Sequence, residues 1–344
     1  MAGRGWGPWS RIKLDALEDY LAAFTKASQT ARGTVYLDLF AGAFKNKDRL
    51  TGAPIMGSPY RALSVEPEFS KVVGFEKQPR TAKTLEDKLR AAFPGRDVTV
   101  VPGDCNATAP SILQSMDPYW RRKPTFAMID QYWAEIHWTT LQALAQHRLV
   151  SAPGRPRRKV ELWLYFGDAF IPRALGSQKP DEAEAAALKV DAMYGTAEWR
   201  YLLQARRDKL LSGKGFKDEL VNLMRWRLEN DLGYETTIPL EFYNEHGGGL
   251  YTVIFATDHP VGAKIISHIF KSSKGALERM VRLRKARDVL EREAAASAQL
   301  GQDSLFDLTA DEALGTPSKD TSDFELLGPP QPPFFYGYDE DIGH

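Results

Sequence analysis

The sequence predicts an α/β fold: a mostly parallel sheet with helical crossovers, ending in an antiparallel hairpin and interrupted by a helical insertion. Three observations carry this expectation. The run Val35-Tyr-Leu-Asp-Leu-Phe-Ala-Gly42 is short and apolar, meets an acid and breaks into small residues. That is how a buried parallel strand reaches the carboxyl edge of its sheet, where open α/β folds bind ligands. Further short apolar runs follow, separated by amphipathic segments, and such alternation implies parallel strands joined by right-handed crossovers. Late in the chain, Thr236 to Tyr243 and Leu250 to Thr257 flank Asn-Glu-His-Gly-Gly-Gly, two β-rich runs around a glycine-rich turn.

The elements follow in order. Ile12 to Thr25 sets Ile12, Leu14, Leu17, Leu21 and Phe24 on one helical face. Val35 to Leu39 is strand one, followed by a long polar loop, Ala43 to Ser58, and a short helix at Pro59 to Val65. Val72 to Glu76 is strand two, Arg80 to Phe93 a charged helix closed by Gly95, and Val98 to Val101 strand three before Pro-Gly-Asp-Cys-Asn. Thr125 to Ile129 is strand four and leads into Asp130-Gln-Tyr-Trp133; a helix over about Thr139 to Gln146 precedes strand five, Val160 to Phe166. Asp38, Glu76, Asp104 and Asp130 thus fall at four strand ends, which a parallel sheet gathers on one edge. Pro180 to Leu232 is helical in pattern and reads as an insertion or lid. The hairpin gives the sheet one antiparallel strand, the arrangement of class I methyltransferases with their Rossmann-type sheet. His259 to Phe270 and Gly275 to Leu300 are two helical patterns, the second long and charged.

The expected organisation is an amino-terminal arm and helix over 1–31, an α/β core over 32–175 and 235–272, the insertion over 176–234, a projecting helix over 273–300 and a disordered tail over 301–344. Lysine plus arginine equals aspartate plus glutamate, 45 each, so no global basic field argues for nucleic acid, and only local patches could serve it. The single cysteine, Cys105, excludes an intrachain disulfide and a multi-cysteine metal site, and fits a reducing cytoplasm. No run of about 18 apolar residues suggests a membrane span. Met1 to Ser10 lacks the apolar stretch of a secretion signal.

Several stretches, in order, resemble the three-Cys-motif partner (TcmP) family: Tyr36-Leu-Asp-Leu-Phe-Ala-Gly42, Gly57-Ser-Pro59 with Ala62-Leu63, Phe75-Glu76, Gly103-Asp-Cys-Asn106, Phe126-Ala-Met-Ile-Asp130, Tyr194-Gly195 with Trp199, Leu232-Gly-Tyr234 and Tyr251-Thr-Val-Ile-Phe-Ala256. The resemblance spans about Leu14 to Phe270. It implies a methyltransferase-like fold in a bacterial protein, encoded beside a cysteine-motif protein of the phage Gp37/Gp68 type, in a mobile-element or defence setting. The chain departs from the family at Ala43-Phe44, where a Pro-Gly turn is usual, and at Asp130-Gln131-Tyr132-Trp133, where Asp-Pro-Phe-Gly is usual.

Strand ends of this kind suit S-adenosylmethionine (AdoMet). Phe40, Ala41 and Gly42 permit close backbone approach, and Asp38 is positioned for the ammonium group. Glu76 can accept both ribose hydroxyls, and Asp104 can meet the adenine amino group, with Cys105 or Asn106 supplying backbone contacts. Each has a structural alternative: Asp38 as a turn cap, Glu76 as an exposed acid, Asp104 as a helix cap, Cys105 as a small buried residue. Asp130 is the candidate for holding a target amine, with Tyr132 or Trp133 stacking on a base at about 1–3 kcal/mol; alternatively Asp130 caps its strand and the rings pack under the insertion. The leading reading is an AdoMet-dependent methyltransferase acting on a nucleobase or nucleic acid; the other is a non-catalytic partner that docks through the insertion. Hydrolysis or nuclease activity using Asp104 and Asp130 with a divalent ion is the weakest option, and the scattered histidines predict no metal. Phe44 is the residue placed to fill a pocket beside Gly42. In the tail, Gln302-Asp-Ser-Leu-Phe306 resembles the pentapeptide that binds the bacterial sliding clamp, although Asp303 stands where an apolar residue is usual. Pro329 to Tyr338 is a second possible docking motif.

Overall fold

Residues 7–48, 52–154, 156–299 and 326–334 are described from a computed structural model; the pentapeptide Gln302 to Phe306 lies outside them. Seven strands form the main sheet: β1 (Val35–Asp38), β2 (Lys71–Glu76), β3 (Val98–Pro102), β4 (Thr125–Ile129), β5 (Glu161–Phe166), β6 (Thr236–Tyr243) and β7 (Gly249–Thr257). Their spatial order is β3-β2-β1-β4-β5-β7-β6. Strands β1 to β5 are parallel, β7 runs antiparallel to β5, and β6 runs antiparallel to β7. One reversed strand lodged between β5 and β6 is the class I methyltransferase arrangement, and this is the fold. The order reverses between β1 and β4, which makes the carboxyl ends of these strands the topological switch point.

The helices are α1 (Pro8–Ala27), α2 (Ser58–Ser64), α3 (Pro79–Ala92), α4 (Cys105–Ser115), α5 (Pro118–Arg121), α6 (Trp138–His147), α7 (Ile171–Leu175), α8 (Pro180–Tyr194), α9 (Trp199–Arg207), α10 (Gly213–Asn230) and α11 (Pro260–Gln299). Strand side chains alternate between two cores, as a period of two requires. Leu37, Phe75, Ala127, Ile129, Leu162 and Leu164 face one layer, which includes residues of α4, α6 and α8–α10. Tyr36, Val72, Phe126, Met128, Trp163 and Tyr165 face the other, made by α1, α2, α3 and α11. Leu14, Leu17 and Leu21 recur at spacings of three and four along α1 and are buried. Each such side chain contributes about 1.5–3 kcal/mol relative to exposure.

The helical insertion α8–α10 joins the first layer rather than standing apart from it. Val190, Met193, Trp199, Leu220, Leu223 and Met224 are buried in the same cluster as Leu162 and Leu164. Several elements differ from the sequence expectation. The two late helical patterns form one helix, α11, because Gly275 costs only about 1 kcal/mol in a helix while Ile266, Phe270 and Leu277 keep one face buried across it. Ser273 bonds back to the Ile269 carbonyl at 2.9 Å, so it too stays within the helix. The polar loop Ala43 to Ser58 contains a small antiparallel pair, Lys45–Lys47 with Pro54–Met56, too short and polar to announce itself. Part of the tail is docked: Gln331 exchanges two hydrogen bonds with Asn222 of α10, at 2.9 and 3.0 Å, and Pro330 and Pro333 are buried. Among the described residues no helix is long and apolar enough to cross a membrane.

Candidate functional site

The carboxyl ends of β1, β2 and β3 and the loop after β4 enclose a cleft of about 340 Å³, within the range of small-ligand pockets. Its walls include Leu39, Phe40 and Phe75, and its rim carries Glu76, Lys77, Asp104, Asn106, Glu135, His137 and Lys189. Of the residues picked out from the sequence, Phe40, Glu76, Asp104 and Cys105 meet here.

Glu76 closes β2, and its Oε1 accepts the Gln78 N–H at 2.8 Å; its other oxygen has no hydrogen bond among the described residues. Asp104 is the N-cap of α4, accepting the Asn106 N–H at 2.9 Å and the Lys77 ammonium at 3.3 Å. Partial burial pushes its carboxyl up, but the Asn106 N–H and Lys77 outweigh that and hold it below its usual value. Asp104 thus caps α4 and also stands on the cleft rim. Gly103 adopts φ +120°, and a Cβ there would stand 3.2 Å from Thr108 Cγ2, so only glycine lets the backbone line the cleft this closely. Cys105 is buried, which raises its thiol to about 12 and keeps it protonated and inert.

The loop after β4 is held by the side chains of Gln131 and Asn106, a role the sequence did not assign to either. Gln131 is buried; its Oε1 accepts the N–H groups of Glu135 and Ile136 at 2.6 and 2.8 Å, and its Nε2 donates to the Tyr165 carbonyl at 2.8 Å. Asn106 donates to the Glu135 carbonyl at 2.7 Å and accepts from His137 N–H at 2.8 Å and the Thr140 hydroxyl at 3.0 Å. These bonds carry Ala134, Glu135 and His137 to the cleft. Gly167 makes room on the other side: a Cβ there would lie 2.7 Å from Trp133 Cα.

The remaining candidates lie outside the cleft. Asp38 is fully buried and accepts three hydrogen bonds, from the Tyr36 hydroxyl at 2.9 Å, Ser58 Oγ at 2.7 Å and the Phe40 N–H at 3.2 Å. Burial raises its carboxyl to about 6 despite the Ser58 and Tyr36 hydroxyls. It fixes the turn after β1 to the start of α2. Ala41 is buried against Gly74, and Gly42 takes φ +64°. Phe44 packs on Tyr60, ring centroids 5.4 Å apart, and does not line the cleft.

Asp130 lies at the same sheet edge but is clasped by Lys13 of α1, whose Nζ is 2.6 and 2.7 Å from its two oxygens. Lys13 is itself buried and lies 5.9 and 5.7 Å from the ring centres of Tyr165 and Tyr251. Tyr132 is 66% exposed beside Phe170. Trp133 is half-buried, and Lys189 Nζ, which also reaches the cleft, sits 5.3 Å from its ring centre. One more acid of this edge went unnoticed in the sequence: Asp168, after β5, is buried and raised to about 7, Lys217 opposing the effect of burial. Among the described residues no group of three His, Cys, Asp or Glu side chains is placed to hold a metal ion.

No family model matches the chain, and no curated protein matches it. Among solved structures, it is similar to a candidate O-methyltransferase from Klebsiella pneumoniae, at 11% identity and TM-score 0.35 over 70% of this chain and 80% of that one. It is also similar to cofactor-bound Rv0187 from MTB, at 15% identity and TM-score 0.36 over 71% and 80%. A third is LPL1258 from Legionella pneumophila, at 10% identity and TM-score 0.43 over 76% and 91%. The fold assignment rests on the order and direction of the chain's own strands.

Proposed function

We propose that the protein is an AdoMet-dependent methyltransferase acting on a nucleobase or nucleic acid. The carrying observation is the cleft beside the switch point, where the acids ending β2 and β3 converge with the Phe40 wall. Glu76 would take the ribose hydroxyls through its free oxygen, and Asp104 with the α4 backbone would meet the adenine edge. The amino-acid end of the cofactor has no partner in Asp38, whose oxygens are already bonded; we assign it to Glu135 on the cleft rim, whose Oε2 accepts the Tyr132 N–H at 2.9 Å and whose other oxygen would take the ammonium. Bound AdoMet would supply an electrophilic methyl group. The exposed Tyr132 ring offers a base a stacking surface, and Asp130 a carboxylate for a target amine, with Lys13 sharing that carboxylate. Catalysis of this kind rests mainly on positioning. Isothermal titration of the full chain with AdoMet and S-adenosylhomocysteine tests the reading; absence of binding at high micromolar cofactor would refute it.

A second reading, a non-catalytic partner of a three-Cys-motif protein, is favoured by one observation. Asp38 and Asp130, two of the four strand-end acids, are engaged inside the protein. In that case the neighbouring cysteine-motif protein co-purifies with the chain, Asp130→Ala leaves the complex intact, and no cofactor binds.

A further inference from the structure

A larger cavity, about 900 Å³, opens at the opposite edge of the sheet. It lies among the end of α1, helix α5, the starts of β4 and β5, and the beginning of α11. Arg122, Lys123, Arg148, Arg158 and Lys159 line it, against the acids Asp117, Glu161 and Asp258. Those acids are occupied. Asp117 caps α5 through the Tyr119 N–H at 2.7 Å. Glu161 accepts the Tyr20 and Thr257 hydroxyls at 2.5 and 2.8 Å. Asp258 accepts the Lys159 N–H at 2.8 Å, with Lys159 Nζ at 3.7 Å.

Arg148 is the unexplained residue. It is 9% exposed, its Nε has no hydrogen-bond partner, and Nη1 reaches the Lys159 carbonyl at 3.4 Å. No carboxylate stands within ion-pair distance of it among the described residues. Asp258 and Glu161 act on it only from beyond that distance; a buried cation without a close anion is unfavourable, and an anion in the cavity would add the nearer charge. Nε is sealed from solvent, so an anion would meet the guanidinium through its outer nitrogens, whose spacing matches the oxygens of a phosphate. Arg122 stands exposed at the mouth, with Nη1 on the Pro118 carbonyl at 3.2 Å, and Lys123 beside it, its Nζ on the Ala31 carbonyl at 2.8 Å and 4.1 Å from the Tyr119 ring centre. Arg158 is held by the Asp258 carbonyl and by Glu235 at 3.7 Å, and Lys159 Nζ by the Gly233 carbonyl at 2.7 Å, so these two add positive field rather than free donors. Phe24, Tyr119 and Ile265 give the cavity apolar wall as well, so the chemistry suits a phosphate ester rather than a bare ion.

We propose that this amino-edge cavity binds a phosphate ester, with Arg148 as the buried anchor, Arg158 and Lys159 beside it and Arg122 and Lys123 at the mouth. The site is separate from the carboxyl-edge cleft and does not depend on the methyltransferase reading. A mononucleotide and a stretch of polynucleotide present the same group. The full chain is titrated calorimetrically with uridine monophosphate and with single-stranded DNA of about 20 nucleotides, at low and moderate salt. Arg148→Met and the double variant Arg122→Ser with Lys123→Ser are titrated alongside, and their melting temperatures are compared with wild type. Wild type binds at least one probe, and the mouth variant, with unchanged melting, binds it at least about tenfold more weakly. Binding of the monophosphate assigns a nucleotide site; binding of the oligonucleotide alone assigns a polynucleotide track. Failure of wild type to bind either probe at millimolar monophosphate or micromolar DNA overturns the proposal, as does binding that the mouth variant leaves unchanged.

Discussion

Lys13 Nζ bridges both carboxylate oxygens of Asp130, at 2.6 and 2.7 Å, and so fastens α1 to the end of β4. The lysine is almost fully buried and the aspartate partly so. Removing one charge therefore leaves the other poorly solvated. Lys13→Met is expected to lower unfolding free energy by about 1–3 kcal/mol. In Lys13→Met with Asp130→Asn, where neither charge is left alone, less is lost. Urea denaturation of the four proteins in this cycle gives the coupling; a double variant no more stable than the sum of the singles predicts would rule the bridge out as a structural tie.

Glu76 lies at the rim of the cleft and stabilises only the Gln78 turn. Glu76→Ala is expected to weaken AdoMet binding roughly tenfold or more, the loss of one or two hydrogen bonds to a charged acceptor. Its melting temperature should stay close to wild type. Calorimetric titration beside a thermal melt separates the two effects, and an unchanged dissociation constant would move the ribose site elsewhere.

Gln131 satisfies three backbone groups at once. Gln131→Ala strands the Tyr165 carbonyl and the Glu135 and Ile136 N–H groups, a cost of about 2–4 kcal/mol. Hydrogen exchange should rise at Glu135 and Ile136 before it rises in β4. Exchange that increases uniformly through the sheet would show that Gln131 supports the whole core and not this loop.

Glu161 is buried, and burial raises its carboxyl to about 7 against the Tyr20 and Thr257 hydroxyls. In the unfolded chain it loses its proton near 4.5. The unfolded state thus sheds the proton first. The stability Glu161 contributes is full below about pH 4.5 and is lost as pH rises through about 7. His147, lowered to about 4 by burial, acts in the opposite sense, but it is common to wild type and Glu161→Gln. Between these pH limits wild type should lose about 2–3 kcal/mol more than the variant. Urea titrations across the range check this, and parallel pH profiles would contradict it.

The sheet was legible because its inner strands are continuous apolar runs. Thr125 to Ile129 is buried at every residue, so its limits stand out against the polar residues on either side. The reversed strand was legible from the glycine-rich turn before it. Helix α4 was not: its Asn, Thr and Ser, with Pro110 inside it, carry weak helical propensity, and it depends on the Asp104 cap and on packing. In the site, a strand-end acid can be found from sequence, but its partner cannot. Asp130 is answered by Lys13, 117 residues away, and Asp38 by Ser58, 20 residues away. No local pattern links such pairs. Gln131 shows the same limit, since its bonds define the loop only once β5 is alongside.

Helix α1 holds its apolar side against β4, β5 and α11, elements that follow it by roughly 100 to 250 residues of chain. A ribosome adding about 5–20 residues each second therefore completes this helix many seconds before the surface that covers it exists. The helix is made well before its cover is complete. Until then Leu14, Leu17 and Leu21 have only the earlier elements of their cluster, such as β1, β2 and α2, to cover them and are open to any holdase that recognises apolar helices, so this protein's yield in a cell should respond to chaperone supply more than its finished stability suggests.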